Sequence, residues 1–144
     1  MRSRNASRTR NEAEADITAT PHPGTSVATA SRVLIVEDEL LIAMVLEDIL
    51  DLLGCTVAGH ATTLAEADAL VAANDVDVAV LDVNLGADPV YPLADRLRAA
   101  GIGIVFATGS HRSQLPERFA DCPVMEKPYA FPAVEAALQA LDAA

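Results

Sequence analysis

Five polar side chains lie at the ends of four short apolar segments, and together they suit phosphoryl transfer to a carboxylate. They are Glu37, Asp38, Asp82, Thr108 and Lys127. Three carboxylates brought together repel one another, which raises the energy of the ionised cluster unless a cation is present. Mg²⁺ meets that need because it takes carboxylate, water and phosphate oxygens in an octahedron. These residue types therefore indicate a metal-assisted reaction of a phosphate.

Three of these residues suit distinct parts of such a reaction. Asp82 is the candidate nucleophile, because a carboxylate can form an acyl phosphate. Thr108 offers a hydroxyl donor to one phosphoryl oxygen. Lys127, the only lysine of the chain, offers a compact positive charge to another, and Mg²⁺ would hold the third. Catalysis of this kind is positioning plus charge neutralisation, which this set provides.

The apolar segments that precede these residues predict strands of a parallel sheet. Short runs rich in Val, Ile and Leu suit strands that are buried on both faces. Such strands are predicted at residues 33–36, 78–82, 102–106 and 123–125, with a weaker, edge-like strand at 56–61.

Helical patterns fill the intervals between the strands. The first helix ends at Gly54, the second begins with a capping box at Thr63 and Glu66 and runs to about Ala73, and the third, about 91–100, has Pro92 in its first turn. A short helix is predicted around 114–120 and a last one over 132–141. The first helix carries an apolar stripe at helical spacing: Ile42, Val45, Leu46, Ile49, Leu50 and Leu53.

Five strands alternating with five helices predict an α/β fold with a doubly wound parallel sheet. Right-handed crossovers leave few topologies, and the strand order 2-1-3-4-5 of flavodoxin-like folds is the natural choice. In that order strands 1, 3, 4 and 5 are contiguous. The five polar side chains would then converge on one crevice at the carboxyl ends of the strands, where ligands bind in such sheets.

Length, charge and hydropathy predict the number of domains and make some partners and locations unlikely. The 144 residues suffice for one domain. Residues 1–31 lack periodicity and predict a disordered tail, and residues 32–142 predict the domain. The net charge of −11 makes nucleic acid an unlikely direct partner. No run approaches the roughly 18 apolar residues of a membrane span, and no secretory signal is present, so we expect a cytoplasmic protein.

Four segments resemble the four motifs of response-regulator receiver domains. They occur in the family's order, each at a strand end, and the resemblance covers about residues 32–142. The segments are Val33-Leu34-Ile35-Val36-Glu37-Asp38-Glu39, Leu81-Asp82-Val83-Asn84-Leu85, Ala107-Thr108-Gly109 and Glu126-Lys127-Pro128-Tyr129.

The resemblance implies a phosphorylation switch or phosphate shuttle of a two-component phosphorelay. Asp82 would accept phosphate from a histidine kinase or a histidine phosphotransfer protein. The resemblance also implies that the protein is not an enzyme, beyond its own phosphorylation and dephosphorylation chemistry. Carried over by position, Glu37 and Asp38 would be the acid pair that binds Mg²⁺, and Asn84 would donate a backbone carbonyl to the metal. Thr108 would be the switch hydroxyl. Lys127 would be the phosphate-binding lysine, followed by a cis peptide bond.

Two departures from the family pattern affect how phosphorylation is transmitted. Val124 occupies the position where most receivers have an aromatic switch residue, and the segment between Thr108 and Lys127 is short. The segment Phe106-Ala107-Thr108-Gly109 is similar to a motif of stand-alone receivers that are often paired with HWE-type histidine kinases. Output would then be a contact with a downstream protein or removal of phosphate from another relay member.

Two other functions stay open from the sequence. A receiver-like interaction module that takes no phosphate would keep the fold, and Val124 is consistent with it. An aspartyl-phosphate hydrolase of the haloacid dehalogenase type would place Asp-x-Asp after its first strand, whereas this chain has Glu37-Asp38-Glu39 there.

Overall fold

A computed structural model of the chain describes residues 31–109 and 115–143. The predicted tail lies outside the described residues except for Ser31. In chain order the elements are β1 (Arg32–Val36), α1 (Leu40–Leu52), β2 (Thr56–Ala61), α2 (Leu64–Ala73), β3 (Val78–Asp82), α3 (Tyr91–Ala99), β4 (Gly103–Thr108), a 3-10 helix (Glu117–Phe119), β5 (Val124–Glu126) and α4 (Phe131–Ala143).

The five strands form one parallel sheet in the order β2-β1-β3-β4-β5. This confirms the predicted fold class and strand order. Because all strands run the same way, their carboxyl ends lie at one edge of the sheet. Strands β1, β3, β4 and β5 are contiguous, so the residues that follow them are brought close together.

Alternate side chains of the strands face two helical layers, as successive residues of a strand point to opposite faces. One layer consists of α1 and α4, which pack on Val33, Ile35 and Val80. The other contains α2, α3 and the 3-10 helix, which pack on Leu34 and Phe106. The sheet is therefore covered on both faces, which explains why its strands read as continuous apolar runs.

Helix α1 differs from the prediction in the face that it buries. Val45 was placed in the apolar stripe, but it is 45% exposed, and Ala43 is buried in its place. Ala43, Leu46 and Leu50 form the centre of the buried face, because the small side chain of Ala43 permits a close approach to the sheet. Leu41 and Met44 are exposed beside Val45, which leaves an apolar surface on this helix.

The fourth predicted helix, around 114–120, is reduced in the described residues to the 3-10 helix, and Gln114 lies outside them. The described part of the chain thus contains four α-helices instead of five. Phe119 anchors the 3-10 helix by packing between Tyr91 and Phe106, with ring centroids 5.8 and 5.1 Å away. The Arg118 guanidinium lies over the Phe119 ring, 4.7 Å from its centroid. These contacts hold the 3-10 helix against α3 and β4.

Surface ion pairs also join this segment to α3. Arg118 binds the carboxylate of Asp95 through two nitrogens, at 3.0 and 2.9 Å. Arg98 pairs with Asp121 and donates a further hydrogen bond to the main-chain oxygen of Arg118. None of the helices in the described ranges has the length and apolar character needed to cross a membrane.

Candidate functional site

The parallel sheet brings the predicted site residues to one edge. Glu37 directly follows β1, Asp82 ends β3, Thr108 ends β4 and Lys127 directly follows β5. Glu37, Asp82 and Thr108 are buried, while Lys127 is nearly so. These charged and polar groups reach the interior because apolar strands, buried on both faces, lead up to them.

Three carboxylates form the centre of the site. Each of Glu37, Asp38 and Asp82 offers an oxygen, and the three oxygens lie within 4.8 Å of one another. Glu37 and Asp82 are each 1% exposed, whereas Asp38 is exposed to solvent. Oxygen donors with this charge are those that Mg²⁺ prefers. The donor set therefore fits Mg²⁺.

Lys127 balances the charge of the buried acids. Its Nζ atom lies 3.3 Å from Oε1 of Glu37 and 3.2 Å from Oδ2 of Asp82. Its main-chain N–H donates to the main-chain oxygen of Thr108 at 3.0 Å, which ties the lysine to the end of β4. The following Lys127–Pro128 peptide is cis, as the resemblance implies.

Burial and neighbouring charge set the protonation of these groups. Burial raises the pKa of Glu37 from 4.5 to about 7; the N–H of Glu39 opposes this rise, and the charge of Asp82 adds to it. Burial lowers the pKa of Lys127, but the charges of Asp82 and Glu37 outweigh burial and hold it above its ordinary value. Lys127 therefore stays cationic, while Glu37 gains or loses its proton near neutral pH.

Backbone N–H groups orient the three carboxylates. Asn84 donates its N–H to Oδ1 of Asp82 at 2.9 Å, and Gly86 donates to Oδ2 of Asp38 at 3.1 Å. Glu39 donates its N–H to Oε2 of Glu37 at 3.1 Å. Gly86 adopts a positive φ of 55°, a conformation that glycine accepts without strain. The loop after β3 therefore holds the acids from two different strand ends, and Asn84 contacts the site through its N–H group.

Three further residues contact or influence the site, although the sequence predicted no role for them. Glu39 Oε1 lies 3.7 Å from Lys127 Nζ, and His60 Nε2 lies 2.8 Å from the main-chain oxygen of Glu37. Burial, followed by the charges of Glu37 and Asp82, raises the pKa of Tyr129 well above its ordinary range, so its phenol stays protonated. Glu39 and Tyr129 lie within two of the four motif segments, which could have indicated them, but no sequence signal connects His60 with Glu37.

Comparison with known proteins identifies the family. The family model of the response regulator receiver domain matches residues 33–138. SdrG from Sphingomonas melonis Fr1 is 46% identical, with a TM-score of 0.71, 78% of this chain covered and 97% of SdrG. PhyR from Brucella abortus is 30% identical, with a TM-score of 0.68; the match covers 82% of this chain and 50% of PhyR. A search of curated proteins finds no match.

A more distant structure supports the fold alone. The CheY-like receiver domain from Methylobacillus flagellatus is 23% identical, with a TM-score of 0.68 over 78% of this chain and 98% of that domain. The strand order, the acid cluster beside Lys127 and the family match over residues 33–138 agree with one another. The chain belongs to the response regulator receiver domain family.

Proposed function

We propose that this receiver accepts a phosphoryl group on Asp82 from the phosphohistidine of a histidine kinase or a histidine phosphotransfer protein. The observation that carries this proposal is the placement of Asp82: it is buried at a strand end, within 3.2 Å of the only lysine and beside two more acids. A carboxylate in this setting has a cation to stabilise it.

The transfer requires few protein groups. A carboxylate oxygen of Asp82 attacks the phosphorus atom, the new O–P bond forms as the N–P bond of the donor breaks, and the donor imidazole leaves with the electron pair and takes up a proton. Lys127 neutralises charge on one phosphoryl oxygen, and the hydroxyl of Thr108 donates to another. The chain turns over no separate substrate in this scheme, so its chemistry is limited to gaining and losing its own phosphoryl group.

Mg²⁺ is the cofactor that we propose for the reaction. Glu37, Asp38 and Asp82 would hold it with their carboxylates, and Asn84 would contribute its backbone carbonyl. When bound, the metal supplies positive charge that offsets both the acid cluster and the phosphoryl oxygens. Lys127 already provides one positive charge to Glu37 and Asp82, so the metal adds to a partly neutralised site.

The structure of a relative supports the proposal that phosphorylation activates this protein. A second structure of SdrG, from Pseudomonas melonis Fr1 and 46% identical to this chain, is in a BeF3-activated conformation. We propose that phosphorylated Asp82 has the corresponding effect here and that a downstream protein or another relay member receives the signal. Leu40 follows Glu39 directly and is exposed next to the apolar surface of α1, so apolar side chains lie near the site for a protein partner.

The test is phosphorylation by acetyl phosphate, followed by intact mass spectrometry with and without Mg²⁺. We expect one phosphoryl group to be added to the native protein only with Mg²⁺, and none to be added to Asp82→Asn. Asp88→Asn, which changes an exposed acid of the adjacent loop, is the matched control and is expected to be labelled normally.

Two outcomes would contradict the proposal. Absence of labelling with both acetyl phosphate and a phosphorylated cognate kinase would favour an interaction module that takes no phosphate. Rapid turnover of unrelated phosphomonoesters would favour a hydrolase.

A further inference from the structure

We propose that His60 is a positioning residue for the acid pair: its imidazole holds the peptide group that joins Glu37 to Asp38. The consequence for Mg²⁺ binding rests on the proposed function above. His60 lies on β2, the edge strand, and is 22 residues away from Asp38 in the sequence. Its ring is half-buried and contacts the main chain at the end of β1.

The main-chain contacts define what His60 can do. His60 Nε2 lies 2.8 Å from the carbonyl oxygen of Glu37, and because a carbonyl oxygen carries no proton, Nε2–H is the donor. The N–H of Glu37 in turn donates to the oxygen of Ala61 at 2.9 Å. Strand β2 therefore binds Glu37 on both sides of its Cα atom.

The hydrogen bond from His60 to the Glu37 carbonyl also restrains Asp38. The carbonyl of Glu37 and the N–H of Asp38 belong to one planar peptide group, so a bond that fixes the carbonyl also fixes the plane from which Asp38 departs. Asp38 lies past the end of the strand and is exposed, so no ladder of the sheet sets its direction. His60 supplies that restraint next to three carboxylates whose charges repel one another.

An irregularity of β2 places His60 in position to do this. The pairing shifts register so that Val33 pairs with Val57 but Leu34 pairs with Gly59, which leaves Ala58 as an extra residue. A bulge of this kind re-aims the side chains that follow it. Without it His60 would pair with Val36 rather than Ile35 and would lie on the opposite face of the sheet.

Gly59 also permits this placement of His60 on β2. A Cβ atom at position 59 would lie 2.9 Å from Cδ1 of Leu70, so the Leu70 side chain would have to move to admit a larger residue. The bulge and Gly59 together set the position of the strand segment that carries His60. The register of the edge strand therefore pairs His60 with Ile35, from where its ring reaches the Glu37 carbonyl.

The experiment compares native protein, His60→Leu and His60→Gln by backbone amide NMR, first without metal and then in a Mg²⁺ titration. Without metal, we expect faster hydrogen exchange at the amides of Asp38 and Glu39 in His60→Leu. With metal, we expect His60→Leu to bind Mg²⁺ roughly 10-fold more weakly, as is typical when a group that orients a ligand is removed. His60→Gln places an amide nitrogen where Nε2 lies and is expected to restore most of both effects.

Thr56→Val, at the other end of β2, is the matched control and is expected to behave as the native protein. Equal Mg²⁺ affinity in native protein and His60→Leu would overturn the positioning role while leaving the proposed function intact. Failure of the native protein to bind Mg²⁺ would overturn the metal site, and the metal-free exchange rates then decide the role of His60 by themselves. If His60→Leu does not fold, His60→Asn, whose side chain is too short to reach the Glu37 carbonyl, gives the same comparison.

Discussion

Replacement of Lys127 by Met removes the cation from two buried carboxylates and retains most of the side-chain volume. Glu37 and Asp82 are each 1% exposed and lie 3.3 and 3.2 Å from Nζ, while the Lys127 side chain is 13% exposed. Loss of one partner of a buried ion pair costs about 3–5 kcal/mol, because a charge is left without compensation. We expect the lower end of that range, about 3 kcal/mol. Loss of the Lys127 charge raises the pKa of Glu37 further, so that its protonation relieves part of the cost, and Lys127 is itself partly exposed.

Urea denaturation in metal-free buffer at pH 8 measures this loss. With an m-value of about 1–3 kcal/mol/M, a loss of about 3 kcal/mol lowers the denaturation midpoint by roughly 1–3 M. Millimolar Mg²⁺ is expected to recover part of the loss, because it supplies positive charge to the same acids. The double variant with Asp82→Asn is also expected to recover stability, since it removes one of the charges that Lys127 had balanced.

Arg96→Met is the matched control for the loss of a cation. Arg96 pairs with Asp68 at 2.9 Å, but both side chains are about half exposed, at 53% and 50%. Exposed pairs contribute roughly 0–1 kcal/mol, so its midpoint is expected to move little. If Lys127→Met were no less stable than Arg96→Met in metal-free buffer, the buried acids would not depend on the charge of Lys127.

Three further predictions concern the fold and its pH dependence. Phe119→Ala is expected to cost about 3–5 kcal/mol in urea denaturation because its ring is fully buried, whereas Phe131→Ala, at a more exposed ring, is expected to cost far less. Thr63→Ala is expected to cost about 1 kcal/mol, because its hydroxyl accepts the Glu66 N–H at the start of α2; an unchanged midpoint would contradict this cap. Between pH 4.5 and about 7, Glu37 keeps a proton in the folded metal-free protein that it has lost in the unfolded chain. The free energy of unfolding is therefore expected to fall as pH rises through this range, and to fall less steeply in Glu37→Gln. Parallel pH profiles of the native protein and Glu37→Gln would contradict the raised pKa of Glu37.

Much of the architecture could be predicted, because apolar runs and the polar residues at their ends mark the strands. The runs that end at Val36 and Asp82 predicted buried strands, and right-handed crossovers then left the strand order that the structure has. The same pattern predicted that Glu37, Asp82 and Lys127 would converge, and in the structure Nζ of Lys127 lies 3.3 Å from Glu37 and 3.2 Å from Asp82. The chemical roles of these residues stay predictions until phosphorylation is measured.

Other features depend on tertiary packing that periodicity does not encode. Val45 and Ala43 both fit a helical stripe, and only the approach of α1 to the sheet decides that Ala43 is the buried one. The 3-10 helix ends at Phe119, whose partners Tyr91 and Phe106 are distant in sequence. No single-sequence pattern reports such contacts.

The role proposed for His60 could not be predicted from the sequence for a related reason. A bulge at Ala58 moves the register of β2 by one residue, and the pattern of the strand does not show where the extra residue lies. Gly59 weakened the strand prediction, although in the structure it is the residue that permits close packing against Leu70. Features of this kind are set by the contact between two elements rather than by either sequence segment.

The most direct measurement of the central claim is the location of the phosphoryl group. The protein is treated with acetyl phosphate and Mg²⁺, the acyl phosphate is reduced with borohydride to a stable homoserine, and the modified residue is identified by tandem mass spectrometry. We predict modification at Asp82 alone. Modification at another acid, or at none while the protein is folded and Mg²⁺ is bound, would contradict the assignment of Asp82 as the phosphate acceptor.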